Sequence, residues 1–458
     1  MTDRRWLGEG LALAGLLAVS GFVYVRGVEA AANYDEGVYL ASLDALHHGQ
    51  GLGADVYASQ PPGFYVLLQA LSLLPGDGVE GIRFAFVLVA LLGLIAAYAI
   101  GRKLAGVWGA LGAAGLLAIT APWPVQAPRV QADTASVALA LAAVAIAFYA
   151  GRCPWRWAGA GALAGAAISV KLLAFPVVAP LAVVLAARRS WRAAGAAVAG
   201  ALAIWAGLLV AYAGALDELW QSVIADHRDA RSVGPSVADN IERVVRHPLD
   251  WRTPAGLLVP IGLVCAILLL RRLELLALGV WLVTSAVFLI AQQPLLDHHF
   301  VLLAATLAVP AGAGLGAAAS RVPVPARYAV AGLAALAIAV GFAQEERRLW
   351  RQDGDPPGVT WAAEQLEMRT QPEELVATDL PIVAYLADRR LPGRLVDTSF
   401  VRLASGSLNE AEILDDLEGV PVVAVGRELA KHPALVRELA ARYPKQVSKD
   451  GVTLYLAP

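Results

Sequence analysis

The sequence predicts a mainly α-helical, polytopic membrane protein of about eleven transmembrane helices, with a small extracytoplasmic α/β domain at its C-terminal end. Three observations predict it. Of 458 residues, 58% are hydrophobic and 16% charged, and the mean hydropathy is +0.59; a soluble globular chain carries about a quarter charged residues. Apolar stretches close to the ~20 residues that cross a bilayer recur along residues 1–343. Basic clusters fall at every second connection between them, as the positive-inside rule expects. Residues 344–458 have the composition of an ordinary soluble domain. The net charge of −2 averages two unlike parts and offers nothing to nucleic acid.

The expected spans lie near 7–25, 82–101, 105–121, 133–150, 157–170, 172–187, 193–213, 254–270, 274–292, 299–319 and 326–343. Arg4 and Arg5 precede the first span. Arg102 with Lys103, Arg152 with Arg156, Arg188 with Arg189 and Arg192, Arg271 with Arg272, and Arg321 with Arg327 follow every second one. This alternation puts the N-terminus in the cytoplasm. The odd number of spans puts residues 344–458 outside a multi-pass protein of the cell membrane. Residues 1–32 have the alternative reading of a signal peptide with small residues at Ala30-Ala31-Ala32, which would leave the later topology unchanged. The two cysteines, Cys153 and Cys265, sit far from any Cys-x-x-Cys spacing and suggest neither a disulfide nor a thiolate metal site.

With this orientation the long loops face outward. The first, 26–81, opens on Tyr34-Asp35-Glu36. Tyr39, Leu40, Leu43 and Leu46 then recur at helical spacing and predict a short amphipathic helix on the membrane surface that ends at Gly49. Pro61-Pro62 starts a second apolar helix over 63–74. A further outer loop, 214–253, holds Asp217, Glu218, Asp226, His227, Arg228 and Asp229, then Pro248 and Trp251; a third is 292–298.

Further ionisable residues fall on the same face. Arg129 and Asp133 flank the start of the fourth span, Lys171 interrupts an apolar run between the fifth and sixth, and Asp297-His298-His299 opens the tenth. Charge at the hydrocarbon boundary is costly unless paired or hydrated, so each is a candidate site residue. Each also has a plain alternative. Lys171 can snorkel, Arg129 with Asp133 can be a structural ion pair, the histidines can be solvated, and Asp35-Glu36 can sit at a helix N-terminus for its dipole. Their gathering on one face, opposite a face that is merely basic, favours a site.

As chemistry, two outward carboxylates, Asp35 and Asp133, with cations nearby suit a transfer reaction. One carboxylate can take a proton from an acceptor hydroxyl, and Lys171 and Arg129 can neutralise a phosphate leaving group. There is no His-x-x-x-His or Cys-x-x-Cys spacing, so no cofactor is specified, although a divalent ion held by carboxylates stays open. The chain has no Gly-rich phosphate loop, nucleotide fingerprint or Gly-x-Ser-x-Gly.

The segments YDEGVYLASLDALHHGQ, QPPGFYVLLQAL, VQADTASVALA, ISVKLLAFP and DHHFVLLAATLAVP, in this order and topology, resemble the GT-C glycosyltransferases that use polyprenyl-phosphate sugars. These include the protein O-mannosyltransferases (glycosyltransferase family 39) and the bacterial aminoarabinose transferase. The resemblance implies transfer of a sugar, with inversion, from a lipid-phosphate donor to an extracytoplasmic glycan, lipid or protein. It implies a catalytic or acceptor-positioning role for Asp35 with Glu36 beside it, and a second acidic position at Asp133. It further implies donor contacts at Lys171 and the His298-His299 pair, beside Arg129, which the residues themselves offer as a phosphate ligand. Relatives of the aminoarabinose type place a lysine before Pro-Pro; here that position is Gln60, so another group supplies the charge or the donor differs.

In residues 344–458 the pattern predicts helices over Trp361–Met368, Pro381–Arg389, a segment opening at Asn409, and 428–443. It predicts strands over Leu375–Asp379, 394–397, Val420–Val425 and Val452–Leu456, in a mostly parallel sheet. No site residue stands out there. The competing readings for the whole chain are a transporter or flippase for a lipid-linked sugar and a polymerase or ligase. A transporter should carry ionisable groups at the bilayer midplane and repeated halves; neither is visible in this sequence.

Overall fold

A computed structural model describes residues 2–74, 78–229, 231, 235–246, 252–351 and 354–458; Pro248 and Trp251, in the loop expected to face outward, lie outside the described residues. The chain forms two compact units, each discontinuous in sequence. One comprises Met1–Val28, Leu71–Leu208 and Pro235–Arg351; the other Glu29–Ala70, Leu209–Gly234 and Gln352–Pro458.

The first unit is a bundle of apolar helices. Each expected span falls on a helix: Thr2–Val25, Gly78–Ile119, Ala132–Tyr149, Pro154–Val170, Leu172–Arg188, Trp191–Ala211, Pro254–Leu269, Leu273–Ala291, Val301–Arg321 and Val324–Trp350. The second and third spans share the Gly78–Ile119 helix. It breaks at Ala105 (φ −141°) and Gly106 (φ +66°), the latter a conformation that glycine adopts without a Cβ penalty. Six of the described helices are long and apolar enough to cross a membrane, and Leu172–Arg188 and Pro254–Leu269 are shorter apolar helices. This is a multi-pass membrane protein.

The packing has a clear inside and outside. The apolar window of the Asp297–Arg321 segment is 89% buried and that of Trp191–Ala211 only 11%. Leu202, Val210, Ile267, Leu276 and Val283 stand exposed on the outer helices, a surface suited to lipid and not to water. At the centre, the Gly78–Ile119 and Val301–Arg321 helices cross on Gly112 and Gly312. A Cβ added to either would run into the other's carbonyl oxygen, the close backbone approach that small residues permit between membrane helices.

One end of this unit is basic. Arg102 pairs with Glu9 at 3.0 Å, Arg272 donates to the Lys103 carbonyl at 2.7 Å, Arg321 to the Leu269 carbonyl at 3.0 Å, and Lys103 lies over the Tyr149 ring. Asp133 starts the helix that ends at Tyr149, and eighteen helical residues span ~27 Å. Asp133, and with it Lys171, His298 and His299, therefore sits at the other end of these helices.

The second unit joins residues 29–70 and 209–234 to residues 352–458. The Tyr34–His47 helix is capped by Asn33, whose side chain accepts from the Glu36 N–H at 2.9 Å, and the chain reverses at Gly49 (φ +84°). This helix is not an amphipathic element with one free face. Residues from Glu36 to Leu43 are buried on every side, and it packs against the Pro381–Leu386 helix. The loop's second predicted helix is present as Pro62–Ser72.

The C-terminal α/β fold has four strands: β1 (Ala377–Thr378), β2 (Val422–Val425), β3 (Lys445–Lys449) and β4 (Val452–Leu456), in the order β1-β2-β4-β3. The expected helices are present near Pro357–Arg369, Pro381–Leu386, Glu410–Asp416 and Pro433–Arg442. Two expectations are corrected. The sheet is mostly antiparallel, because only β1 and β2 run parallel. The segment at 394–397 is a 3-10 turn, Gly393–Val396, following Pro392. The predicted sheet also lacked β3, whose five residues are all exposed and show no apolar alternation. Asp450 and Gly451 turn the β3–β4 hairpin with φ of +47° and +84°, the two-residue Asp-Gly turn that enforces antiparallel pairing.

Candidate active site

In the membrane unit the structure assembles a buried polar cluster from three helix starts. The Ala132–Tyr149 helix begins after Gln131, whose extended backbone (φ −141°, ψ 147°) ends the preceding loop, and Asp133 falls in the first turn. Lys171 is the single extended residue (φ −155°, ψ 131°) between the Pro154–Val170 helix and a 3-10 helix, Leu172–Val177. Pro176 inside that 3-10 helix has no N–H for an α-helical bond. His298 and His299 lie in a 3-10 turn, Asp297–Phe300, that leads into Val301–Arg321.

Lys171 Nζ donates to Asp133 Oδ2 at 2.7 Å, and both residues are buried, at 8% and 1% exposure. Two charges taken out of water require such a pairing. Arg129 is buried in the loop just before the helix. The rings of His298 and His299 stand edge to face with centroids 4.5 Å apart, and His299 Nδ1 accepts from the Leu296 N–H at 3.2 Å. The histidine turn is held from behind. Arg243 pairs with Asp297 at 2.6 Å and donates to the Leu295 carbonyl, and Asn240 donates to the Gln292 carbonyl at 2.7 Å.

Asp133, His298 and His299 each offer one ligand atom, all within 4.8 Å of one another. Among the described residues these could hold a divalent ion. Asp133 Oδ1 is buried and makes no hydrogen bond, which fits such an ion. The Lys171 ammonium on the other oxygen of the same carboxylate opposes it.

Sequence reasoning missed two neighbours in this segment. Both polar atoms of the Gln131 side chain, and Thr134 Oγ1, are buried without a hydrogen-bond partner. Buried polar groups are nearly always satisfied, so this run of orphans marks a place where a polar ligand would complete the bonding. The only signal in the sequence was a cluster of polar residues, VQADT, at the head of an apolar helix.

The remaining candidates belong to the other unit. Asp35 is half-buried and Glu36 fully buried in the first turn of the Tyr34–His47 helix. Gln60 Nε2 donates to the Tyr39 hydroxyl at 3.0 Å, and Tyr39 stacks edge to face on Phe64. The Tyr65 hydroxyl oxygen accepts the Ser59 N–H at 3.0 Å, and burial pushes its phenol up to about 12.

The fold has relatives of known structure. ArnT from Cupriavidus metallidurans, solved with bound undecaprenyl phosphate, superposes with a TM-score of 0.74 at 17% identity over 98% of this chain and 97% of that one. The chain shares the fold of ArnT. The archaeal oligosaccharyltransferase AglB from Archaeoglobus fulgidus, solved with an inhibitory peptide and a dolichol-phosphate, matches at a TM-score of 0.54 and 14% identity, over 96% of this chain and 74% of that one. The mycobacterial arabinofuranosyltransferase AftD matches at 0.55 and 13%, over 99% of this chain and 41% of that one. The family model for dolichyl-phosphate-mannose-protein mannosyltransferases matches residues 59–212, a stretch that includes Gln60, Arg129, Asp133 and Lys171. No curated protein matches the chain in sequence.

Proposed function

We propose that this protein is an integral membrane glycosyltransferase of the cell membrane. It moves a sugar from a polyprenyl-phosphate donor to an extracytoplasmic glycan, lipid or protein, with inversion at the anomeric carbon. The observation that carries this reading is the buried Lys171–Asp133 pair beside His298 and His299, at the non-basic end of a GT-C-fold helix bundle. The N-terminus is cytoplasmic in this reading, and residues 344–458 lie outside.

The reaction balances simply. The acceptor hydroxyl oxygen forms a bond to the anomeric carbon as the bond from that carbon to the donor phosphate oxygen breaks. Polyprenyl phosphate leaves with the bonding electrons, and the hydroxyl proton passes to a carboxylate. Asp35 is that base, with Glu36 beside it. Lys171 and Arg129 bind the donor phosphate and offset the negative charge that grows on it, with His298 and His299 as further donors. Gln60, an amide where aminoarabinose-type relatives place a lysine, leaves that charge to Lys171 and Arg129. Gln131 and Thr134 add hydrogen bonds to the same donor.

The experiment is transfer from labelled polyprenyl-phosphate sugars, in membranes containing the protein, run beside a transbilayer assay of the same lipids. Sugar appearing on an acceptor supports the reading. Movement of the intact lipid-linked sugar across the bilayer without transfer would favour the flippase reading.

A further inference from the structure

Tyr34, one residue before Asp35, is gripped by two side chains from the C-terminal residues, all within the second unit. Its hydroxyl donates to Asp397 Oδ1 at 3.0 Å, and that oxygen is itself held by the Ser399 N–H at 2.9 Å. The Arg427 guanidinium lies over its ring, 4.0 Å from the centroid, well inside cation–π range. The backbone that presents Arg427 is fixed in turn by Asp379. Its buried carboxylate accepts the N–H groups of Gly426, Arg427 and Leu429 at 2.8, 2.8 and 2.9 Å.

We infer that Asp397 and Arg427 are positioning residues for the Asp35 carboxylate, acting through Tyr34, so that the C-terminal domain is a working part of the transfer machinery. The inference rests on Asp35 being the base. Two further contacts show how closely the domain holds this loop. A Cβ on Gly37 would lie 2.7 Å from the Ile382 nitrogen, so the Pro381–Leu386 helix packs on the backbone two residues after Asp35. Farther along the loop, the Arg402 guanidinium sits 3.7 Å from the Tyr57 ring centroid, the Tyr57 hydroxyl donates to Asp226 at 3.0 Å, and the Tyr57 backbone N–H donates to the Gly393 carbonyl at 3.1 Å. Polar and cation–π contacts of this kind fix direction as well as proximity. They fall on the residues that flank the acidic pair and the Gln60 segment.

The test uses the full-length protein in membranes, with kcat and KM measured for donor and acceptor and the thermal unfolding midpoint followed in parallel. Misplacing a reacting group by about 1 Å costs about 100-fold in rate. Arg427→Ala and Asp397→Asn should therefore lower kcat about 100-fold while donor KM stays within about twofold and the unfolding midpoint holds. Tyr34→Phe, which keeps the ring under Arg427 and removes one hydrogen bond, should lower kcat about tenfold. Arg427→Lys should recover part of the loss, because it restores a cation. Wild-type kcat in these variants, or a loss that only follows the amount of folded protein, would overturn the inference. Asp35→Asn in the same assay separates the two claims. If it is inactive while the Tyr34, Asp397 and Arg427 variants are active, only the positioning role fails. If Asp35→Asn is fully active, the assignment of the base fails and the inference falls with it.

Discussion

Lys171 and Asp133 form a buried ion pair, 2.7 Å from nitrogen to oxygen, across 38 residues of sequence, between the first turn of the Ala132–Tyr149 helix and the extended residue after Pro154–Val170. Charges this far from water call for a partner. The pair leaves one carboxylate oxygen without a bond and places an ammonium where the proposed donor phosphate is held.

Replacing Lys171 with Ala should therefore act twice. It strands a buried carboxylate, which costs about 3–5 kcal/mol of stability, and it removes a phosphate ligand. Donor KM should rise far more than acceptor KM. In the double variant Lys171→Ala/Asp133→Asn the thermal midpoint should return toward wild type while donor use stays weak. Equal loss of donor and acceptor use would count against the phosphate role.

Gln131 and Thr134 allow a cleaner separation of folding from binding. A buried polar group with no partner is a cost to the ligand-free protein, so an apolar replacement of similar shape should be neutral or stabilising. Gln131→Leu and Thr134→Val should unfold no earlier than wild type when no lipid is added. Undecaprenyl phosphate should raise the wild-type midpoint and raise that of the variants less. Equal shifts would remove both residues from the donor site.

Metal removal tests the same cluster from another side. With Lys171 already neutralising Asp133, a divalent ion on Asp133, His298 and His299 would have to sit against an ammonium. Treatment with EDTA should change wild-type transfer by less than about twofold, since the cations of the site are the protein's own. A large loss, reversed by adding back a divalent ion, would show that the ion displaces Lys171 from the carboxylate.

The crossing of Gly112 and Gly312 predicts a stability effect remote from the chemistry. Gly312→Val drives a branched side chain into the Gly112 carbonyl and should destabilise by about 1–3 kcal/mol or more through overpacking. It would be read as a lower unfolding midpoint in detergent, with donor KM unchanged for the protein that remains folded.

Much of this was legible from the amino acids. Span lengths and the alternation of arginines located the helices, and the break near Arg102-Lys103 appears as the kink at Ala105 and Gly106. The acidic, lysine and histidine positions were each visible as charge out of place at an apolar boundary. Their partnership was not. The sequence offers nearby Arg129 as one partner for Asp133, and the packing of the Ala132–Tyr149 helix against the turn at Lys171 shows the Lys171 ion pair. Composition could not show that residues 29–70 fold with residues 352–458, because contacts such as Tyr34 with Asp397 join segments more than 350 residues apart. The solvated strand Lys445–Lys449 escaped for a different reason: with all five residues exposed it has no buried face to impose alternation, and its signal was the Asp450-Gly451 turn.

Asp35 is the proposed base for sugar transfer from a polyprenyl-phosphate donor. The most direct measurement compares wild type and Asp35→Asn for transfer of a labelled sugar from such donors to an extracytoplasmic acceptor, at matched levels of folded protein. The account predicts transfer by the wild type and a loss of about 100-fold or more in the variant, the scale set by removal of a general base. Full activity in Asp35→Asn would contradict it.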